Sequence, residues 1–359
     1  MKKLSLFLVL VFIALSVSAC TGTPVIYTTN CNCPGTCVVD GNTSSQTENT
    51  PAAAEGDLKT GLAIVANAGK SKSASAEENG AAEYDVSVVA VTVDANGRIA
   101  SCIIDSIGAS FSFDAAGQLV TDMSTPVLTK NELKEDYKMK LYGSKYEWYE
   151  QADALAKYAV GKTIDEFKNG AVNESGKAKD ADLASVASIY IGGYVNAVEK
   201  AAANAQNLGA KAGDELRLSI SPAFASCAAA TAENAGNAEL DVDACALTVN
   251  GGVITSCYID SVQAKVAFDA QGQINKAIEG DVLTKNELKE GYNMKAWGQA
   301  KFEWYEQAAS FCKYVTGKTF DQVKNIAIDA GTKPTEADLS STVTIAIGGF
   351  QGLIAKAAD

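Results

Sequence analysis

Apolar and polar residues alternate along two separate stretches of the chain. The first stretch is Tyr84–Val93 and the second is Leu240–Val249. Each is followed by a tight turn, DANG or NGG, and by a second apolar run, RIASCIIDS or VITSCYIDS. A further turn, FDAAGQ or FDAQGQ, comes next in both places. Period-two alternation between glycine-containing turns is typical of antiparallel strands, so the pattern predicts two β-meanders.

Helical spacing of apolar residues follows each meander. It covers Tyr146–Val160 and Phe302–Val315, and Gly161 and Gly317 are typical helix ends. The next segments, TIDEFKN and TFDQVKN, each begin with a threonine, which is a common N-cap. The pattern therefore predicts a longer helix and then a short, capped one after each meander.

Each region closes with a β-like run, a Gly-Gly pair and a helix. The sequences are SVASIYIGGYVNAVEKA and STVTIAIGGFQGLIAKA, with the pairs at Gly192, Gly193 and at Gly348, Gly349. Glycines at a helix start let a ligand approach backbone N–H groups, and the helix N-terminus favours a phosphate. Tight packing of the helix on a sheet is the alternative explanation of the glycines.

The same elements recur in the same order. The run TKNELKE at Thr129 returns at Thr284, an offset of 155 residues (284 minus 129). We therefore predict an α+β protein with two tandem copies of an antiparallel meander packed with helices, at 58–206 and 207–359. About 150 residues suffice for a core of its own, so we expect independent domains with few contacts across the polar junction at 203–213.

The N-terminus has the features of an export signal. Lys2 and Lys3 precede the apolar run Leu4–Leu15, which is too short to span a bilayer comfortably, so residues 1–19 are predicted to be a signal peptide. The small residues VSA before Cys20 resemble a bacterial lipobox, which makes Cys20 the expected lipidated N-terminus. An ordinary cleaved signal with a spare cysteine is the alternative.

Residues 20–57 are expected to form a flexible tether. The part from 38 onward is polar and nearly lacks large apolar side chains, so it cannot bury enough surface to become ordered. Cys31, Cys33 and Cys37 cluster in CNCPGTC, where disulfide pairing is favoured over a metal site because a fourth ligand is not evident.

The remaining cysteines lie in the two repeated regions. Cys102 and Cys257 occupy matching strand-like runs and are expected to be small buried hydrophobes rather than nucleophiles. Cys227, Cys245 and Cys312 occur only in the second region, and the sequence leaves a disulfide between Cys227 and Cys245 open.

Charge and composition narrow the range of possible functions. The formal net charge is −13, which disfavours binding to nucleic acid, and the chain has no histidine. Without histidine there is no Ser-His-Asp or Cys-His catalytic set, no histidine-ligated zinc and no c-type haem. The remaining residues offer no set of acid, base and nucleophile, so a bound cofactor would have to supply any chemistry.

The motifs together resemble a known family. Two copies of K-N-E-L-K-x-x-Y-x-M-K, each followed by E-W-Y-E-Q, G-K-T and D-L-x-S-x-x-[ST]-I, are similar to the two-domain FMN-carrying lipoproteins of Gram-positive extracellular electron transfer (the PplA type), with FMN-binding-like domains. The resemblance covers roughly residue 58 to the C-terminus. It implies an FMN moiety joined through its phosphate to a Thr or Ser hydroxyl by an extracytosolic flavin transferase, at the end of a D-x-x-[ST]-G-A-[ST] pattern.

The pattern is present in both copies, with its Gly-Ala replaced by Thr-Val in the second and by Val-Ala in the first. Its aspartate, its first hydroxyl residue and its acceptor fall, in that order, on these residues: Asp338, Ser341 and Thr344 in the second copy, and Asp182, Ser185 and Ser188 in the first. The resemblance makes Thr344 the favoured acceptor and Ser188 the second one. The altered Gly-Ala leaves covalent flavin attachment, noncovalent flavin binding and the absence of flavin binding open.

The resemblance thus implies a membrane-anchored flavoprotein on the extracytosolic face of the cell membrane that passes electrons through FMN to extracellular acceptors. It is expected to be an electron carrier rather than an enzyme, with a flavin transferase and a membrane quinone-linked reductase as partners. Two alternatives stay open: a surface ligand-binding or adhesion lipoprotein, and the precursor of a peptide pheromone released from the signal peptide.

Overall fold

The structure is a computed structural model that describes residues 56–275, 280–298 and 300–358. Over these residues the chain is mixed α/β, with two separate three-stranded antiparallel sheets and eleven α-helices. The predicted signal peptide, Cys20 and nearly all of the predicted tether lie outside the described residues. None of the helices described is long and apolar enough to cross a membrane.

The first sheet and its helices occupy residues 56–206, which we call the first half. The strands, in their order in the sheet, are β1 (Lys59–Asn67), β2 (Gly80–Val93) and β3 (Ile99–Phe113). The helices are α1 (Lys130–Leu133), α2 (Trp148–Ala159), α3 (Ile164–Ala171), α4 (Ala181–Val186) and α5 (Gly192–Ala203).

The second sheet and its helices occupy residues 207–358, which we call the second half. The strands, again in sheet order, are β4 (Glu215–Phe224), β5 (Gly236–Asn250) and β6 (Val253–Phe268). The helices are α6 (Lys285–Leu288), α7 (Met294–Gly298), α8 (Trp304–Val315), α9 (Phe320–Lys324), α10 (Ala337–Ser340) and α11 (Gly348–Lys356).

The two predicted meanders are confirmed, and each gains a strand that the alternation did not indicate. That strand is β1 in the first sheet and β4 in the second, and each lies at the edge of its sheet, where it pairs with β2 or β5. The central strand β2 is buried at almost every position from Val86 to Val93, because helices cover one face of the sheet and the other sheet covers the opposite face.

The predicted helices are confirmed as well. In α2 and α8 the apolar face packs on β3 and β6, and the chain leaves the helical direction at Gly161 and Gly317, whose φ angles are +80° and +87°. The side chains of Thr163 and Thr319 accept hydrogen bonds from the N–H groups three residues later, as N-caps do.

The prediction of a β-like run before each Gly-Gly pair is wrong. Residues 187–191 and 343–347 form irregular loops, although α5 and α11 begin at Gly192 and Gly348 as expected. The loops have no neighbouring strand to pair with, because each sheet has only three strands and these lie elsewhere.

The two sheets pack against each other through the faces that carry no helices. One buried cluster contains residues of both sheets, among them Leu62 and Ile64 of β1 and Leu240 of β5. At its edge the rings of Phe113 and Phe268 stack with centroids 3.9 Å apart and planes 4° apart. The expectation that few contacts join the two halves is therefore wrong, since they share a core.

Two backbone contacts between the halves form a matched pair. The N–H of Ala74 donates to the carbonyl of Gly272 at 2.8 Å, and that of Ala230 donates to the carbonyl of Gly117 at 2.8 Å. Both glycines have positive φ, and a Cβ on Gly117 or Gly272 would lie 2.6 or 2.5 Å from a backbone oxygen of the other half. Only glycine permits this close approach.

Two ion pairs between the halves are matched in the same way. Lys200, near the end of α5, pairs with Glu287 of α6 at 2.7 Å, and Lys356, at the end of α11, pairs with Glu132 of α1 at 2.6 Å. Partly exposed pairs of this kind stabilise by about 1 kcal/mol or less. The two pairs are reciprocal, since each joins the last helix of one half to the first helix of the other.

Candidate functional site

The two predicted acceptor hydroxyls are on the surface of the molecule. Ser188 lies in the loop before α5 and Thr344 in the loop before α11, and both side chains are exposed. Each is followed by one turn of irregular chain and then by the Gly-Gly helix start. An enzyme that modifies a hydroxyl has to reach it, and at both positions the chain permits access.

A fully buried glutamine holds the loop of Thr344 in place. The Oε1 atom of Gln307, on α8, accepts hydrogen bonds from the N–H of Thr344 at 2.8 Å and from the N–H of Ile345 at 3.2 Å. The Thr344 hydroxyl also donates to this oxygen at 3.2 Å. The Nε2 atom of Gln307 donates to the carbonyl of Phe302 at 2.9 Å, so the amide itself is fixed.

The first half repeats this arrangement. Gln151 on α2 is fully buried, and its Oε1 accepts from the N–H groups of Ser188 at 2.7 Å and Ile189 at 3.1 Å. The Ser188 hydroxyl donates to the same oxygen at 3.2 Å, and Nε2 of Gln151 donates to the carbonyl of Tyr146 at 3.0 Å. A buried amide therefore replaces the missing neighbouring strand as the hydrogen-bond partner of each loop.

The aspartates and serines of the predicted pattern form no hydrogen bond with the acceptor residues among the residues that the structure describes. The hydroxyl of Ser341 donates to the carbonyl of Asp338 at 3.0 Å, and that of Ser185 donates to the carbonyl of Asp182 at 2.7 Å, which are bonds within one helical turn. Over the described residues, neither aspartate carboxylate forms an ion pair, and no hydrogen bond links these side chains to Thr344 or its counterpart. Both carboxylates are exposed in the first turn of their helices, α4 and α10.

The Gly-Gly pairs leave open space at the two helix starts. A Cβ on Gly193 or Gly349 would have no atom within 4 Å, so close packing on a sheet does not account for these two glycines. A Cβ on Gly192 would make an ordinary contact, and one on Gly348 would press against Thr332. The second glycine of each pair thus leaves the first turn of the helix accessible to a ligand.

The first half adds a cation and an aromatic ring beside its acceptor. The Nζ atom of Lys177 donates to the carbonyl of Ser188 at 2.6 Å and lies 3.9 Å from the ring centroid of Tyr190. Tyr190 is 70% exposed, which is unusual for a large ring. In the second half Ala346 stands two residues after Thr344, where the first half has Tyr190. The sequence analysis missed these residues because nothing in the local pattern connects 177 with 188.

Three thiols gather under the helices of the second half. The Sγ atom of Cys257 lies 3.4 Å from that of Cys312 and 3.7 Å from that of Cys245, and all three are buried. The hydrogen bonds of the Cys257 thiol with both neighbours, one of them donated to Cys312, together with burial, raise the pKa of this thiol well above its usual value. The expected burial of Cys257 is confirmed, whereas its counterpart Cys102 is only partly buried.

The disulfide between Cys227 and Cys245 that the sequence left open is absent. Cys245 lies in the cluster beneath the helices, whereas Cys227 packs against the cluster between the sheets and contacts Glu239. Over the described residues no group of three or more acidic or cysteine side chains is arranged to hold a metal ion.

Comparison with known proteins finds no protein similar to this chain. No protein-family model matches the chain, and no curated protein and no solved structure shows significant similarity to it.

Proposed function

We propose that this chain is a membrane-anchored, extracytosolic flavoprotein that carries FMN on Thr344 and Ser188 and passes electrons to extracellular acceptors. One observation carries the proposal. In each half a buried glutamine holds a loop that exposes a hydroxyl group, and about one turn later a helix begins at a Gly-Gly pair whose second glycine has open space around it. The family resemblance of the motifs supplies the identity of the cofactor.

The chain's own residues suit a phosphate-linked group. If the Thr344 hydroxyl is esterified, the loop loses one hydrogen bond of 3.2 Å but keeps the two that Gln307 accepts from backbone N–H groups. The first N–H groups of α11 have no partner within the helix and carry a partial positive charge that favours a phosphate. FMN, when bound, supplies one- and two-electron transfer, and the protein supplies attachment and orientation.

We further propose that residues 58–206 and 207–359 are tandem copies of one domain, arranged like the subunits of a two-fold symmetric dimer. The support is the common order of strands and helices and the matched contacts between the halves, including the Phe113 and Phe268 stack at their junction. One chain then holds two attachment sites in a fixed relation.

The location and partners are proposed from the N-terminal motif and the resemblance. Cys20 would hold the lipid anchor on the extracytosolic face of the membrane, and the tether up to residue 57 would let the folded part sweep a volume above it. A flavin transferase would load the hydroxyls, and a membrane quinone-linked reductase would supply electrons. The acidic chain would have no nucleic acid partner.

Substitution of the acceptor tests the attachment. When the chain is coexpressed with a flavin transferase, Thr344→Ala is expected to abolish the flavin adduct on the second half, because no other hydroxyl is held there by Gln307. The fold should remain, since the exposed hydroxyl makes one bond and its loss costs about 1 kcal/mol or less. Peptide mapping by mass spectrometry measures the adduct on each half.

Thr342→Ala is the matched control, because its hydroxyl bonds only to the carbonyl of Leu339 in its own turn. This variant should keep the full adduct, and Ser188→Ala should lose only the adduct of the first half. An adduct that persists in Thr344→Ala, or disappears equally in Thr342→Ala, would refute the assignment of the acceptor.

A further inference from the structure

A cavity of about 1100 Å³ lies at the boundary between the two halves, away from Thr344 and the other proposed attachment residues. Most of its walls come from β6, α6 and α8 of the second half, and the segment 203–208 at the end of α5 closes one side. The volume is that of sites that bind cofactor-sized organic molecules. Nothing in the proposed attachment chemistry uses this space.

Two tyrosines and several apolar residues form part of the lining. Tyr258 and Tyr305 are half-buried there, beside Ile259 and Leu208. The hydroxyl of Tyr305 donates to Glu290 at 2.9 Å, which fixes the orientation of its ring. Rings held in this way offer faces on which a planar aromatic group can stack.

The acidic groups of the lining already have partners. Glu287 is paired with Lys200 at 2.7 Å. Asp260 is 3% exposed, and its carboxylate accepts hydrogen bonds from the N–H groups of Ser261 at 2.8 Å and Asn286 at 3.1 Å. Burial raises the pKa of Asp260 to about 6, so the carboxyl remains mostly ionised at neutral pH, and these two N–H groups stabilise its charge. Neither group therefore attracts a cationic ligand strongly.

The basic groups of the lining have no such partners. Lys289 and Lys313 are exposed at the cavity, and neither forms an ion pair with any residue that the structure describes. In the first half, the counterpart Lys157 pairs with Asp153 at 2.6 Å, but α8 has Ala309 at the position of that aspartate. The alanine both frees Lys313 and leaves more room in the cavity.

We propose that this cavity binds a small organic anion that carries an aromatic ring. The ring lies against Tyr258 and Tyr305, and the anionic group lies between Lys289 and Lys313. The net negative charge of the chain repels anions at long range. At physiological salt, charges more than about 8–10 Å away are screened, so the two nearby lysines determine the attraction of the anionic group in the cavity. This site is independent of the proposed flavin attachment and is testable on unmodified protein.

A matched pair of fluorescent probes tests the ligand class. 8-Anilinonaphthalene-1-sulfonate is aromatic and anionic, whereas N-phenyl-1-naphthylamine has the same rings without the sulfonate. Fluorescence titration of the purified chain is expected to show one saturable site for the sulfonate, with the neutral probe bound roughly tenfold more weakly, as one partly desolvated charge contact implies. Equal affinity for both probes would contradict the anionic class.

Variants place the probe in the cavity. Lys289→Glu and Lys313→Glu are each expected to weaken binding of the sulfonate roughly tenfold or more, and Ala309→Trp, which projects a large ring from an exposed position, should block it. Lys134→Glu, at the counterpart of Lys289 in the first half, carries the same change of net charge and should leave the affinity within about twofold.

Circular dichroism and thermal melting confirm that each variant is folded before titration. Because both lysines and Ala309 are exposed, their replacement should change the melting temperature little. If folded cavity variants bind as the unsubstituted chain does, or if Lys134→Glu weakens binding as much as Lys313→Glu, the probe is elsewhere and the proposal fails.

Discussion

Separation of the two halves, by expressing residues 56–206 and 207–359 as individual polypeptides, is expected to leave neither half as a folded monomer. Each would expose the sheet face that now packs against the other sheet, including Tyr84 and Phe113 of the first half, which are at most 2% exposed in the whole chain. Burial of such side chains contributes about 1.5–3 kcal/mol each, comparable in sum with the whole stability of a domain.

The measurement is denaturant unfolding combined with sedimentation of each half alone and of the two mixed. The halves alone should aggregate, unfold, or associate with a second copy through the exposed face, and the mixture should recover a 1:1 complex with cooperative unfolding. Cleavage of the intact, folded chain at a protease site inserted within 207–213 is the control, because there the pieces should stay together. A monomeric half with a cooperative transition of its own would contradict the shared core.

Replacement of Gln307 by methionine is expected to lower the free energy of unfolding by about 2–4 kcal/mol and to reduce flavin loading at Thr344 strongly. Methionine has nearly the same length but accepts hydrogen bonds poorly, so the N–H groups of Thr344 and Ile345 lose their acceptor in a buried place. Urea unfolding measures the stability, and peptide mapping measures the loading.

Two variants serve as comparisons for that result. Gln151→Met should act in the same way on Ser188, since the two amides make equivalent bonds. Gln271→Met changes an exposed glutamine in a turn and should alter stability by less than about 0.5 kcal/mol. If Gln307→Met were as harmless as Gln271→Met, the buried amide would not be what holds the acceptor loop.

The sequence indicated those parts of the fold that depend on neighbouring residues. The meander strands β2 and β3 follow from alternation and turns, and the N-caps at Thr163 and Thr319 depend on a residue three positions later. Such signals act over a few residues. They also located the helix starts at the Gly-Gly pairs, because glycine marks a change in chain direction.

Features that depend on distant residues could not be predicted in this way. The irregular loop at Thr344 was expected to be a strand because its apolar alternation is strand-like, but its N–H groups bond to Gln307, 37 residues earlier. A signal for the glutamine was present, since a polar residue recurs on the buried face of an amphipathic helix in both copies of E-W-Y-E-Q. Such a residue needs a buried hydrogen-bond partner, and the repeat indicates that the partner recurs too.

The inter-sheet core was missed for a similar reason. In β2 the alternation gives way to a short apolar run at residues 88–91, because both faces of the strand are buried there, and this pattern alone does not say whether helices or a second sheet cover the second face. The stack of Phe113 on Phe268 joins residues that are 155 positions apart (268 minus 113), so only the assembled structure brings them together.

The intact mass of the unsubstituted chain, purified after coexpression with a flavin transferase, tests the proposed function most directly. We predict that the mass of most molecules increases by one FMN moiety and that of a fraction by two. Peptide mapping should place the first on Thr344 and the second on Ser188. The protein should be yellow and show a flavin absorption spectrum. A chain of unmodified mass that also binds added FMN weakly would contradict the flavoprotein account.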